Sequence, residues 1–331
     1  MFLFGLAKGP SGLDPLLLLL LALILDAILG PALSSRSLSI NPLNGFAALV
    51  RWCDRKLNRE RRSAATRAGR GALIVAILVL VAGGIGWLVA FAARAIPHGF
   101  LLELVAILLL IDQRAVHEDV RRIGTALAGE GLGTARERLG ALQGGDPPRL
   151  DAHAVARTSI EIAARSFAYG VVAPAFWYGL FGLPGLCALR AAAVIDDVVG
   201  EPAERTRAFG FAAQRFNDVL LVIAAPIAGL LLLAASLFVP TARPRRAAHA
   251  MLGRNGPYRS RAMGWPVGAV AGALGLALAG PKRGTYAREP WIDAGTAQAS
   301  PLDIRRALFL FTVACLLNGA LIAAAALGRL L

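Results

Sequence analysis

The chain has 331 residues, of which 56% are hydrophobic, and its mean hydropathy is +0.61. Its formal net charge is +14, from 35 Lys and Arg against 21 Asp and Glu. An apolar content this high excludes an ordinary soluble domain, and no recognition motif accompanies the positive charge, so we predict no nucleic-acid binding. Three distant cysteines without a CxxC motif indicate neither a disulfide framework nor a zinc site.

Five apolar blocks along the chain approach the length needed to cross a membrane. About 20 apolar residues, at roughly 1.5 Å each, cross a hydrocarbon core of about 30 Å. The predicted spans are residues 16–29, 72–93, 219–240, 265–281 and 308–328. The sequence therefore predicts an all-α fold, a polytopic integral membrane protein with about five strong spans.

Two weaker apolar segments, residues 99–111 and 170–188, are short or interrupted by Gly and Pro. Full spans, re-entrant segments and buried helices all fit them, and these alternatives stay open. The N-terminal leucine run resembles a signal peptide. Asp26 inside that run, and the basic loop that follows at residues 51–70, favour an uncleaved first span.

The one sizeable polar region covers residues 113–165 and has apolar residues at helical spacing. Within it, GGDPPRLD at residues 144–151 predicts a turn, with Asp151 capping the following helix. We expect a single membrane domain over residues 1–331, with this helical excursion and the loop at 51–70 in the cytoplasm. Loop charges give no consistent orientation for the later segments.

Acidic residues beside apolar blocks are the first candidates for a functional site. They are Glu161, Asp196 with Asp197, and Asp218. A carboxylate inside a membrane is costly and marks function by default, whereas one at the boundary is merely solvated. Arg190 and Arg215 are candidate partners for these carboxylates or interfacial residues. No phosphate loop, GxGxxG motif or GxSxG motif occurs in the sequence.

Small residues dominate MGWPVGAVAGALG at residues 263–275. Glycines let two helix backbones approach closely. We therefore predict a helix-packing face at Gly268, Gly272 and Gly275.

Several short motifs occur in an order that resembles one known family. They are LILDAILG at 23–30, PRLDAHAVAR at 148–157, GVVAP at 170–174, RAAAVIDDVVGEP at 190–202, FGFAAQRFNDVL at 209–220, GWP at 264–266, GALGLALAGP at 272–281, EPWI at 289–292 and DIRRAL at 303–308. The ordered set resembles the CobD/CbiB family, the adenosylcobinamide-phosphate synthases of cobalamin biosynthesis. The likeness runs over most of the chain.

The resemblance implies an enzyme that joins adenosylcobyric acid to aminopropanol, or its phosphate, through an amide bond, using ATP and Mg²⁺. The implied partners are the corrinoid substrate, the amino alcohol, the lipid bilayer and other membrane enzymes of the corrinoid pathway. We expect a multi-pass protein of the cell inner membrane.

The same resemblance implies roles for individual residues. Catalytic roles fall on Glu161, Asp196 and Asp218, and metal ligation on Asp196 and Asp218. We assign cofactor binding to Asp146, Arg190 and Arg215.

The chain departs from the family pattern at several polar positions. Arg165, Ser166 and Tyr169 stand where the family has Glu, Asn and Asp, Ala193 and Ala262 each replace an asparagine, and Val267 replaces a glutamate. A fold that keeps its apolar frame and loses polar site residues is typical of a divergent or inactive homologue. The alternative hypothesis is therefore a non-catalytic membrane protein of the same superfamily, an AmpE-like sensor or accessory protein.

Overall fold

The computed structural model describes residues 13–33, 42–59, 62–143, 149–200, 206–253, 262–280, 291–293 and 295–330. Helices dominate this part of the chain. In chain order they are α1 Pro15–Leu33, α2 Pro42–Leu57, α3 Ala64–Ala95, α4 Phe100–Leu110, α5 Arg114–Thr125, α6 Leu132–Gln143, α7 Ala152–Phe167, α8 Ala173–Phe181, α9 Leu183–Val199, α10 Phe211–Ala235, α11 Pro244–Leu252, α12 Gly264–Leu274 and α13 Pro301–Leu330. Two π-helical turns are Ala126–Glu130 and Ala168–Val172.

The contacts divide the chain into two compact units. Unit 1 takes in Met1–Asp112, Ala173–Leu221 and Ile322–Leu331, and unit 2 takes in Gln113–Val172 and Val222–Leu321. The single membrane domain over residues 1–331 stays a prediction.

Three helices are long and apolar enough to cross a membrane: α3, α10 and α13. The longest, α3, has 32 residues and extends about 48 Å at roughly 1.5 Å per residue. The three contain most of the predicted spans 72–93, 219–240 and 308–328. Large apolar side chains on α3, such as Leu80 and Leu88, are exposed, which suits a lipid-facing surface. The chain is an all-α membrane protein.

The prediction that residues 265–281 form a single membrane-spanning helix is wrong. Helix α12 ends at Leu274, and Gly275 takes a left-handed conformation with φ of 69°. The chain then forms a short antiparallel pair, Leu278–Ala279 with Trp291–Ile292. Eleven residues reach only about 16 Å, roughly half of the hydrocarbon core. Most of α12 is buried, so its apolar composition reflects a core helix.

The first predicted span, residues 16–29, lies within α1. Its apolar part, Pro15–Leu29, is shorter than the three long helices. A count of five spans therefore stays a prediction. The two weaker segments form short helices: 99–111 contains α4, and 170–188 is broken at Gly182, where φ is 67°.

Unit 1 is built around the packing of α3 against α9. At Gly86 of α3, an added Cβ would lie 2.8 Å from the carbonyl oxygen of Leu183, so only glycine permits this approach. Helix α8 meets α4 through Tyr178, whose hydroxyl donates to Glu103 at 2.8 Å. The Trp177 indole donates to the Leu220 carbonyl at 3.0 Å and holds the start of α10 against α8.

Unit 2 contains the predicted polar excursion, which is helical as expected in α5, α6 and α7. Its core includes Ile123, Leu139, Leu150 and Val155. Asp151 caps α7 as predicted, accepting a hydrogen bond from the Ala154 N–H at 2.7 Å. The predicted turn falls mainly on residues 144–148, which lie outside the described residues.

Helices α11 and α12 pack closely in unit 2, and the predicted glycine face is confirmed at two of its three positions. An added Cβ would lie 2.8 Å from the Ala250 carbonyl at Gly268, and 2.4 Å from the Arg246 carbonyl at Gly272. Gly275 was expected on the same face, but it lies at the end of α12 instead. Its positive φ, which glycine adopts without strain, lets the chain turn there.

Candidate functional site

In unit 1, the Asp196 carboxylate on α9 accepts a hydrogen bond from the Asn217 amide on α10, at 2.8 Å. Asn217 is 1% exposed, and Asp196 is half-buried. Buried polar groups are stable when they are hydrogen-bonded, so this contact fixes the Asp196 carboxylate against α10. Asp197, the next residue, is exposed.

Glycines bring the backbone close to Asp196. An added Cβ at Gly200 would lie 1.9 Å from Asp196 Oδ1, and one at Gly210 would lie 1.8 Å from the Val199 carbonyl. The Gly200 N–H donates to the Asp196 carbonyl at 2.7 Å. A side chain at either glycine would therefore displace the end of α9 and the carboxylate with it.

The start of α10 is also fixed against α3. An added Cβ at Gly71 would lie 2.0 Å from the Phe209 carbonyl. Phe209 itself is buried in a core cluster that includes Ile195 and Val199 of α9. The two helices that carry Asp196 and Asn217 therefore share one packed core.

The other predicted site residues of unit 1 lie on the same two helices. Asp218 follows Asn217 and is half-buried, about 100° further around α10. Arg190 is half-buried on α9, whereas Arg215 is exposed, its guanidinium 5.3 Å from the centre of the Phe211 ring. The described contacts thus place Asp196 with Asn217, a residue that the sequence analysis did not select.

Glu161 belongs to unit 2, on α7, and is 3% exposed. Arg165, one turn later, brings Nη1 to 3.9 Å from Glu161 Oε1. This distance is long for an ion pair, but it places the positive charge of Arg165 beside the Glu161 carboxylate. The resembled family has a glutamate at the position of Arg165. Asp146 lies outside the described residues.

Some positions that are polar in the resembled family are apolar and buried in this chain. Val267 in α12 and Ala262 just before it are both buried, and Ala193 on α9 is half-buried. The side chains of alanine and valine offer no ligand to a metal ion or a phosphate at these positions.

A second polar cluster in unit 2 was also missed by the sequence analysis. The Arg157 guanidinium lies 5.3 Å from the centre of the Trp291 ring and donates to the Ala297 carbonyl. Arg246 pairs with Asp293 at 2.8 Å. Burial is the main cause that lowers the pKa of Arg157. The motif EPWI, which contains Trp291, was the available signal.

Mg²⁺ is often held by one or two carboxylates together with substrate phosphates. Asp196 on α9 and Asp218 on α10 are two carboxylates of that kind, and the described contact joins Asp196 to Asn217, the residue before Asp218. Within the described residues, no group of three or more His, Cys, Asp or Glu side chains forms a metal cluster. Oxygens from the substrate would have to complete the coordination of such an ion.

The comparison with models of known protein families decides which family the chain belongs to. The model described as CobD/Cbib protein matches residues 19–311. The chain belongs to the CobD/CbiB family. It is a cobalamin-biosynthesis protein, as the resemblance of its motifs predicted, and no solved structure matches it.

Curated relatives match along nearly their whole length. A "Cobalamin biosynthesis protein CobD" of Rhizobium meliloti (strain 1021) is 38% identical, over 96% of this chain and 98% of its own. Proteins of the same name are 36% identical in Sinorhizobium sp, over 91% and 94%, and 34% identical in Brucella suis biovar 1 (strain 1330), over 95% and 98%. These relatives match nearly the whole chain, so the CobD/CbiB assignment covers both units.

Proposed function

We propose that this CobD/CbiB protein is an adenosylcobinamide-phosphate synthase, which forms an amide between adenosylcobyric acid and aminopropanol or its phosphate. ATP phosphorylates the substrate carboxylate and leaves as ADP. The amine then forms the C–N bond as the C–O bond to the phosphate breaks, so phosphate leaves and the amine loses a proton. The observation that carries the proposal is the Asp196–Asn217 contact at 2.8 Å, which holds a carboxylate in place within a family motif.

In this proposal each residue of unit 1 has a distinct task. Asp196 and Asp218 would hold Mg²⁺, which would offset the negative charge of bound phosphates. Asn217 positions the Asp196 carboxylate through its amide N–H. Arg190 and Arg215 offer guanidinium groups to phosphate oxygens, because a planar guanidinium pairs with two oxygens at once.

We further propose that Glu161 takes part in catalysis, as its match to a glutamate of the family implies. Arg165 lies one turn further along α7, with Nη1 at 3.9 Å from Glu161 Oε1. The Glu161 carboxylate would accept a proton as the amine attacks. Asp146 is assigned to ATP binding on the family resemblance alone.

The protein is proposed to lie in the cell inner membrane as a multi-pass protein. Both ATP and the corrinoid substrates are cytoplasmic, and the basic loop 51–70 fits the cytoplasmic side. Other membrane enzymes of the corrinoid pathway are its proposed neighbours, since they supply or consume the same corrinoid.

One specific feature favours a second candidate function, a non-catalytic homologue that acts as a sensor or accessory protein. Ala193, Ala262 and Val267 remove polar groups at matched family positions, and Val267 is completely buried. In such a protein the apolar core survives for stability alone, and the Asp196–Asn217 contact joins two helices without any role in a reaction.

A growth test separates the two functions. A strain that lacks its synthase is supplied with cobyric acid as its sole corrinoid and receives the wild-type gene. We expect growth to be restored, because the chain would complete the missing ligation. No growth at a membrane level of protein equal to that of a working synthase would support the non-catalytic function instead.

A further inference from the structure

Helix α2, Pro42–Leu57, packs one face against the core of unit 1. Its buried residues Val50 and Cys53 belong to the same cluster as Ile74 and Val75 of α3. The pattern of burial repeats at helical spacing, so α2 has one buried face and one exposed side.

Polar contacts fix the end of α2 at the beginning of α3. Asn58 donates to Asp54 at 2.7 Å, and Arg67 of α3 donates to the Asn58 side-chain oxygen at 2.7 Å. Both Asp54 and Asn58 are buried. Arg70 also reaches the Leu57 carbonyl, at 3.5 Å. These contacts hold α2 beside the first two turns of α3.

The first two turns of α3 lie where the membrane boundary is expected. The helix carries no charge from Gly71 until Arg94, and exposed apolar residues begin at Leu73. At about 48 Å, α3 is longer than a hydrocarbon core of about 30 Å. We therefore expect its charged first turns in the headgroup region, and α2 beside them.

The exposed side of α2 carries two kinds of side chain. One part is basic: Arg51 and Arg55 lie one turn apart, Lys56 follows Arg55, and Arg59 lies two residues beyond the end of the helix, all four exposed. The neighbouring part is apolar, with Leu49 44% exposed and Trp52 52% exposed. An apolar edge beside a row of cations is typical of a helix in the membrane interface, where Trp is enriched.

We propose that α2 is an interfacial helix that binds anionic phospholipid headgroups in the leaflet at the N-terminal end of α3. Leu49 and Trp52 insert at the level where the headgroups meet the acyl chains. Arg51, Arg55 and Arg59 contact the lipid phosphates. Free phosphate ions would satisfy the arginines and leave the apolar edge in water, so the lipid is the partner that fits both.

The first experiment measures stability of the full chain in nanodiscs. One set of discs contains phosphatidylcholine alone, and the other contains a mixture of phosphatidylcholine and phosphatidylglycerol. We expect the anionic lipid to raise the Tm of the wild-type protein by several degrees. The triple variant R51Q/R55Q/R59Q should lose most of that increase, because ligands stabilise the folded state that binds them.

The matched control removes the same charge elsewhere. R243Q/R245Q/R305Q replaces three exposed arginines of unit 2 and should keep the wild-type response to anionic lipid. Equal loss of the response in both triple variants would overturn the proposal, because it would mean a general effect of net charge. A wild-type Tm that does not depend on the lipid, or one raised as much by inorganic phosphate in zwitterionic discs, would also overturn it.

The second experiment locates Trp52 and uses only a conservative variant, W52F. Lipids brominated near the headgroup quench tryptophan fluorescence at the interface. The difference between wild type and W52F isolates the Trp52 contribution, and we expect strong quenching of it. Protection of Trp52 from the brominated lipid would show that protein covers this face of α2, and the proposal would be wrong.

Discussion

At the scale of single residues, the proposed site depends on the Asp196 carboxylate and on the Asn217 amide that donates to it at 2.8 Å. An acid next to an apolar block is conspicuous, and Asp196 and Asp218 were found in this way. Asn217 was overlooked because an amide carries no charge and its importance depends on which helix face meets α9. The sequence gives helical positions, whereas the pairing of faces comes from packing.

Replacement of Asp196 by Asn tests the role proposed for that carboxylate. The amide keeps the size of the side chain and an oxygen that accepts from Asn217, so the fold should persist. We expect ligation activity to fall by about 10²-fold or more, which is the usual scale for loss of a group that stabilises charge in a reaction.

Asp197→Asn is the matched control for that substitution. It makes the same chemical change one residue away, at an exposed carboxylate. We expect its activity to stay within about twofold of wild type, because exposed substitutions have small effects. Equal losses in Asp196→Asn and Asp197→Asn, or an active Asp196→Asn protein, would contradict the role given to Asp196.

At the scale of elements, α12 shows where sequence patterns stop being informative. Its apolar run resembles a membrane span, yet the helix has only 11 residues and most of them are buried. A core helix and a lipid-facing helix have the same composition, and length is the main difference between them. Gly275 was the local signal for the true end of the helix.

Gly272→Ala tests the close packing of α12 on α11. The added methyl would lie 2.4 Å from the Arg246 carbonyl and would force the helix backbones apart. We expect a loss of about 1–3 kcal/mol in unfolding free energy, as for other overpacked sites. Denaturation in detergent by circular dichroism measures it.

Gly264→Ala is the control on the same helix. Nothing lies within 4 Å of the Cβ that it would add. We expect a change of about 0.5 kcal/mol or less, since the site is open. If both alanine variants unfold at the wild-type midpoint, the backbones of α11 and α12 are not in the close contact described.

At the scale of the whole molecule, composition and block length were sufficient to predict an all-α membrane protein. Three of the five predicted spans lie in helices that are long and apolar enough to cross a membrane. The division into two units was not predicted, because both units are assembled from segments that are distant in sequence. Such contacts leave no local pattern.

Topology is tested by cysteine labelling in whole cells. Single cysteines at Ala65 and Ala141, both exposed, are placed in a background without Cys53, Cys187 and Cys315. We expect both to resist a membrane-impermeant maleimide until the inner membrane is opened, because both segments are predicted to be cytoplasmic. Labelling of either position from the periplasmic side would reverse the orientation of that segment.

The most direct measurement of the central claim is ligation by the purified, membrane-reconstituted chain. Adenosylcobyric acid, ATP and Mg²⁺ are supplied with aminopropanol or its phosphate, and the corrinoid products are separated by mass. The account predicts adenosylcobinamide or its phosphate, formed with ATP consumption and abolished in the Asp196→Asn protein. Well-folded protein that yields no amide with either amine, beside an active synthase run as a control, would contradict it.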